Sequence, residues 1–283
     1  MRDLGNLSLC AINTATFGFQ QPIEVAIDVI ARAGFGGIAP WRREVEGRDV
    51  AAIAKRIGSA GLRVTGYCRS TYIPAADRAV FLANVESNRR AIEDAAILGA
   101  QSFVMVVGSL PAGSKDLPAA RHQVAEASAL LLEHGRKFGV KIALEPLHPV
   151  YAAERSCLSL LSEALDLCDA IEGPQSDPWL GTCVDVYHTW WDPYLKRDLM
   201  RAGKSRRIFG FHVCDWLVPT GDVLNDRGMM GDGIIDLPAI RREVEAAGYG
   251  GLVEVEIFSA NNWWKKPIEE TLRVISERFA TVT

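Results

Sequence analysis

Apolar residues in this chain fall into short β-rich runs separated by longer stretches of helical spacing, and a glycine tends to close each helical stretch just before the next run. Ala33-Gly34 precedes Gly37-Ile38-Ala39, Ala60-Gly61 precedes Leu62-Arg63-Val64, and Leu98-Gly99 precedes Phe103-Val104-Met105. The same order recurs at Phe138-Gly139 before Lys141-Ile142-Ala143, Ala202-Gly203 before Ile208-Phe209, and Ala247-Gly248 before Leu252-Val253. Glycine suits the left-handed residue that ends a helix, so these six are read as helix stops placed before strands. With Gly173 as a weaker member, the steps from Gly34 to Gly248 are 27, 38, 40, 34, 30 and 45 residues, the spacing of βα units.

The stretches between the runs carry one apolar stripe each. Val124, Ala127, Leu131 and Phe138 fall at helical spacing, as do Cys157, Leu161, Ala164, Cys168 and Ile171, and Leu237, Ile240, Val244 and Ala247. Pro22 suits a first helical turn, Asp49 is placed to cap a helix, and Asp236 with Pro238 opens another. Adding Leu7-Ser8-Leu9-Cys10-Ala11-Ile12 gives eight strands and about eight helices, with no linker between them. The pattern predicts an α/β fold, a (β/α)8 TIM barrel forming a single domain over residues 1–283. An open doubly wound sheet is the second choice. It calls for a Gly-rich nucleotide loop after the first strand, and Asn13-Thr14-Ala15-Thr16-Phe17-Gly18 is not one.

Composition narrows the function classes. A chain of 283 residues, 48% of them hydrophobic, can bury a large core. A net charge of −4 provides no electrostatic footprint for nucleic acid or an anionic membrane, and no apolar run approaches a membrane span. The six cysteines form no C-x-x-C pair and several sit within apolar runs, so they are expected to be reduced and structural. No secretory signal pattern opens the sequence, which makes the expected location cytoplasmic.

The candidate chemistry sits at the ends of the later runs. Ile142-Ala143-Leu144 leads into Glu145, Cys183-Val184 into Asp185 with His188 three residues on, Gly210-Phe211 into His212, and Val253-Glu254-Val255 into Glu256. These four would close strands five to eight, and in a barrel the strand C-termini converge on one face. Charged groups at four buried strand ends are costly to desolvate unless paired or metal-bound, so one divalent metal held by Glu145, Asp185, His212 and Glu256 is expected. Such an oxygen-rich donor set favours Mn²⁺ first, with Mg²⁺, Co²⁺ and Zn²⁺ as the other candidates. The longest presumed loop, Asp215 to about Asp236, carries Arg227, whose planar fork of donors suits a carbonyl, carboxylate or phosphate oxygen. Trp190, Trp191, Trp216, Trp263 and Trp264 also follow strand ends, either to stack on a sugar ring or to pack helices and subunits.

Ala143-Leu144-Glu145-Pro146-Leu147, Val184-Asp185-Val186-Tyr187-His188, Phe211-His212-Val213-Cys214-Asp215 and Val255-Glu256-Ile257-Phe258 together resemble the xylose isomerase-like barrel superfamily. More narrowly they resemble its sugar phosphate isomerase/epimerase branch, which includes ketose 3-epimerases and inosose dehydratases. The resemblance implies the same four metal ligands. It further implies that Glu145 and Glu256 flank the substrate carbon and move its proton, with His188 and Arg227 holding substrate oxygens. One departure stands out. Where the ketose 3-epimerases carry a second glutamate after the first, this chain reads Glu145-Pro146-Leu147-His148-Pro149-Val150-Tyr151, with Tyr151 at that position. His148 then either shapes a loop between prolines or serves as an additional acid or base, since imidazole titrates near neutrality.

The expected function is a divalent-metal-dependent sugar isomerase or epimerase working through a metal-stabilised enediolate on a keto-sugar or related polyol. The alternative is a metal-dependent lyase that eliminates a β-leaving group from a keto-cyclitol or 3-keto-glycoside. Catalysis would fall to Glu145, Glu256 and His148, and substrate binding to His188, Arg227 and Trp216. The expected partners are a small-molecule sugar and either a second copy of the chain or a small partner subunit, with neither nucleic acid nor membrane.

Overall fold

The computed structural model describes residues 2–283. Nine hydrogen-bonded segments form one parallel sheet, and its two edges are the successive pieces Arg63–Val64 and Tyr67–Cys68. These are halves of a single third strand, interrupted at Thr65-Gly66. The first half pairs with Gly37–Ala39, the second with Ser102–Met105, and the amide of Gln101 reaches the carbonyl of Val64 at 3.0 Å. The sheet therefore closes on itself. Counting the interrupted strand once, the barrel runs Cys10–Asn13, Gly37–Ala39, the split third strand, Ser102–Met105, Lys141–Leu144, Leu180–Asp185, Ile208–Val213 and Val253–Val255. Each strand lies beside its sequence neighbour, and the eighth pairs with the first through Ala11 and Glu254.

Helix signals in the sequence behave largely as expected. Asp49 accepts from the amide of Ala52 at 2.9 Å and Asp236 from that of Ala239 at 3.0 Å, satisfying amides that a helix start leaves unpaired. Gly99 and Gly139 end their helices with φ of 69° and 73°. Gly203 does not behave as a helix stop. It lies inside the helix Leu195–Lys204, and a methyl group there would collide with the carbonyl of Ala247. Close approach of two chain segments, rather than backbone freedom, explains this glycine. Phe138 also departs from its expected stripe: it is half-exposed at the end of the helix Leu117–Phe138, against the ring of His134.

Burial divides into layers. Alternate strand residues such as Val184, Phe211, Val253 and Val255 point outward and build a continuous core with the surrounding helices. Inside the barrel the filling is small, formed by Cys68, Val104, Ala143 and Cys183. A third cluster of Val106, Leu147 and Tyr151 caps the C-terminal mouth. All six cysteines are buried and unpaired, in line with the structural reading. Among the described residues no helix is long and apolar enough to cross a membrane.

Candidate active site

Register brings the polar strand ends together. Asp185 pairs with His212 across strands six and seven, and His212 with Glu254 across strands seven and eight. Alternation turns Glu254 and Glu256 to the same interior face, one layer apart. Ligand atoms from Glu145, Asp185, His212 and Glu256 lie within 4.8 Å of one another, and all four side chains are buried. The four predicted ligands thus form one constellation.

Two of its atoms bear on what the constellation can hold. The Oε1 atom of Glu145 and Nδ1 of His212 are 3.4 Å apart, and neither has a hydrogen-bond partner. On the other edge of the ring, Nε2 of His212 faces Oε1 of Glu254 at 3.2 Å. A carboxylate there fixes the neutral ring's proton on Nε2 and leaves an Nδ1 lone pair aimed at the Glu145 oxygen. Two buried acceptors facing each other call for a cation or a proton between them. The residues therefore fit a divalent ion. Without one, a proton takes that place: burial opposes a charged ring, yet Cys183 and the carboxylates of Glu254 and Glu145 hold His212 well above its ordinary pKa. Burial also raises Asp185 to about 7, against the opposing charge of Arg227 and with help from Glu256 and Glu145.

Glu254 is a functional candidate that pattern reading passed over. It is buried inside the barrel, where its carboxylate accepts from Asn13 Nδ2 at 2.8 Å and from Thr65 Oγ1 at 2.6 Å while facing His212. Its signal in the sequence was a single charge in the middle of an apolar strand.

Arg227 is not a surface residue. It belongs to a two-stranded antiparallel pairing, Asp215–Trp216 with Arg227–Gly228, set within the long loop after strand seven. The buried carboxylate of Asp215 pins that loop by accepting from the amides of Trp216, Gly231 and Ile235. The Arg227 guanidinium lies 4.4 Å from the Tyr187 ring and 4.8 Å from the Phe258 ring. It donates from Nη1 to Asp185 at 3.0 Å and to Glu256 at 3.3 Å. Burial works to raise Glu256, but His212 and Arg227 together hold it below the usual carboxylate value.

His188 is buried as well, and burial together with the charge of Arg227 keeps it neutral, well below the ordinary histidine value. Its Nδ1 accepts from the backbone amide of His148 at 3.2 Å. The ring proton is thereby placed on Nε2, 3.7 Å from Asp185 Oδ2; Arg227 Nη2 lies 3.3 Å away but, being a donor only, makes no hydrogen bond to that N–H. His188 thus presents a donor to the site.

The cavity above this constellation is lined by Trp41, Arg69, Glu145, Tyr151, Arg155, His188, Leu224, Arg227, Glu256 and Phe258, among others. Two residues expected to act on the substrate, His148 and Trp216, lie outside that lining, as do the expected metal ligands Asp185 and His212. The His148 imidazole turns away: its Nδ1 accepts from the amide of Val150, and its ring lies 4.9 Å from Trp216 and 5.6 Å from Trp191. Trp216 stacks on Tyr187 at 4.6 Å. His148 acts on the site through its backbone amide, and Trp216 supports the wall from behind. Trp264 likewise donates to backbone carbonyls of Ala15 and Ile257, so the aromatic residues that do face the cavity are Trp41, Tyr151 and Phe258, beside the His188 ring. Trp41 follows the tip of strand two, where the rule used for strands five to eight would have found it.

Tyr151, at the position of the missing second glutamate, donates its hydroxyl to the carbonyl of Val223 at 2.7 Å. Tyr187 donates to the same oxygen at 2.8 Å. Two tyrosines thus latch the covering loop over the site. The space left above the cluster is about 20 Å³, enough for a water by the ~10–15 Å³ that one needs and too little for a sugar. A sugar therefore requires the mouth of the site to widen.

The profile of the family described as xylose isomerase-like TIM barrel matches residues 27–278, nearly the whole chain. The chain belongs to that family. Protein SMc04130 from Sinorhizobium meliloti 1021 shares 46% identity over 96% of this chain and 98% of its own, with a TM-score of 0.92. At 18% identity, the zinc-bound IolI protein aligns over 96% of this chain and 97% of its own with a TM-score of 0.80. A D-allulose 3-epimerase from Methylomonas sp. aligns at 19% identity over 96% and 94%, with a TM-score of 0.74. None of the curated proteins matches the sequence. The xylose isomerase-like barrel explains why the four strand ends converge, since its catalytic face is the C-terminal one.

Proposed function

We propose that this barrel is a divalent-metal-dependent isomerase or epimerase that moves a proton on a carbon next to the carbonyl of a keto-sugar or related polyol. The facing, unpartnered Glu145 Oε1 and His212 Nδ1 carry this reading, because that buried pair asks for a cation at the centre of the cavity. A divalent ion there supplies Lewis-acid polarisation of a carbonyl and its adjacent hydroxyl. Glu145 and Glu256 come from strands five and eight and reach the same point from different sides, so one can remove a proton and the other return it. Glu256 suits the base because Arg227 and His212 keep it ionised. Nε2–H of His188 and the guanidinium of Arg227 orient the substrate oxygens, and the latched loop keeps bulk water out. Mn²⁺ is the first choice of ion by donor type, and the zinc-bound neighbour keeps Zn²⁺ beside it.

The placement of His148 weighs against elimination, which needs an acid for the leaving group. The histidine expected to supply it points out of the cavity. The test is incubation of Mn²⁺-loaded protein with a panel of ketoses in D₂O. An isomerase or epimerase returns sugar labelled next to the carbonyl, whereas a lyase releases an unsaturated ketone. Glu256→Gln should suppress exchange at least 100-fold with metal still bound, within the usual range for removing a general base. Full-rate turnover by that variant would rule out the two-carboxylate reading.

A further inference from the structure

Once a divalent ion sits among the carboxylates, the cavity would carry more positive charge than its own carboxylates balance. Glu145, Asp185 and Glu256 bring three negative charges, which a divalent ion and Arg227 neutralise. Arg69 and Arg155 remain, and both line the same cavity. Among the described residues, neither guanidinium has a carboxylate within 4.0 Å. The one hydrogen bond from the Arg69 side chain goes to the carbonyl of Ser70 at 3.3 Å, and Nε of Arg155 is buried without a partner. Nearby acids are occupied or turned away: Asp222 caps the amides of Leu224 and Asn225, and Glu154 is exposed.

Aromatic faces hold these two cations instead. Arg69 lies 4.6 Å from the Tyr72 ring and Arg155 lies 5.5 Å from the Tyr151 ring. Contact through the flat face leaves the in-plane N–H groups free, and those groups match an anion's oxygens in pairs. The two guanidiniums also sense each other. Burial, with the charge of Arg155 adding to it, depresses the pKa of Arg69. Two partly buried like charges without a counterion are unfavourable until an anion arrives.

We infer that the substrate is anionic, a keto-sugar or polyol whose carboxylate or phosphate is clamped by Arg69 and Arg155 while its carbonyl end meets the carboxylate cluster. The inference rests on this cavity being the substrate site. Room for a charged end exists nearby: an open cleft of about 690 Å³ between the loops after strands two and three shares Trp41 and Arg69 with the cavity.

The test titrates full-length protein, with and without Mn²⁺, with D-glucitol, D-gluconate and D-glucitol 6-phosphate in a calorimeter. At least one anionic polyol should bind 30-fold or more tightly than neutral glucitol, and the tighter of the two identifies carboxylate or phosphate. Arg69→Gln and Arg155→Gln should each remove most of that preference, and added salt should weaken it in the parent protein. Unfolding temperature and Mn²⁺ stoichiometry should stay unchanged, since both arginines are half-exposed and touch no metal-ligand candidate. Equal binding of the three polyols by the parent, or a preference that survives in both variants, would overturn the inference. Failure of the metal reading would appear separately, as absence of Mn²⁺ uptake while the anion preference persists.

Discussion

Glu254 makes the sharpest test of the metal centre because it should act on the ion without touching it. Its carboxylate is surrounded by three donors: Asn13 Nδ2 at 2.8 Å, Thr65 Oγ1 at 2.6 Å and His212 Nε2 at 3.2 Å. Glu254→Gln keeps an oxygen for Asn13 and His212, and its amide can donate to the Thr65 hydroxyl, which rotates to accept. That variant should fold normally and lose only the negative charge behind the ring. Outer partners of metal-bound histidines typically contribute 10- to 100-fold in affinity, and a retained hydrogen bond places Gln at the low end. The expected loss is about tenfold in metal Kd, or about 1.4 kcal/mol. Glu254→Leu strands all three donors in the barrel interior at ~1–3 kcal/mol each, so it should lower both metal affinity and the unfolding temperature. Competition against a fluorescent chelator measures the affinity, and calorimetric melting separates the two variants. An unchanged Kd in Glu254→Gln together with full affinity in a folded Glu254→Leu would show that His212 does not depend on this partner, and the assigned ring orientation would fall with it.

Three other outcomes follow from the packing. Removing both hydroxyls in Tyr151→Phe/Tyr187→Phe deletes two hydrogen bonds to Val223, each contributing ~1 kcal/mol. Hydrogen exchange of residues 217–226 should accelerate on the order of 30-fold, and unchanged protection would mean that the loop is held elsewhere. Gly203→Ala would normally stabilise a helix by up to about 1 kcal/mol. Here the methyl meets the carbonyl of Ala247, so the melting temperature should fall instead, by an amount matching ~1–3 kcal/mol of overpacking. Burial pushes the thiols of Cys157 and Cys168 up to about 11 and 12, and the other four up as well. At pH 8 none of the six should react with a disulfide reagent until the protein is unfolded, and a rapidly labelled thiol in the native state would contradict that burial.

Why some of this was legible in the amino-acid order and some was not comes down to the range of the signal. The barrel and its four converging strand ends announce themselves locally: an apolar run that stops on Glu145, Asp185, His212 or Glu256 is visible without knowing any contact. Glu254 was also locally visible, as a charge at an inward position of a buried strand, but its meaning depends on Asn13 and Thr65, 241 and 189 residues away. The split third strand was hidden because its two halves pair with different neighbours, a property of closure rather than of composition. His148 shows the limit most clearly. Its flanking prolines and place after Glu145 predict a residue at the mouth, and its backbone is there, donating to His188. Which way the imidazole points was decided by Trp191, Trp216 and the amide of Val150, and no spacing rule contains that information.

The loop after strand seven joins two requirements in one segment. Arg227 enters the centre and satisfies Asp185 and Glu256, while Val223, four residues earlier, accepts both tyrosine hydroxyls that shut the mouth. Opening the loop far enough for a sugar therefore pulls on the cation that balances the two carboxylates. The same hairpin is tied to the eighth strand's end, where the amide of Arg227 donates to Phe258 and that of Ala260 to Asn225. Its base is thus fixed while its tip is held by two hydroxyls and by the packing of Val223 against Val106, Leu147 and Tyr151. A hinge between those regions would let Val223 and Leu224 lift without withdrawing Arg227, the opening that would carry the least electrostatic cost. Tyr151 stands at the latch, and where the resemblance to ketose 3-epimerases leads one to expect a glutamate beside Glu145, its hydroxyl instead holds the Val223 carbonyl.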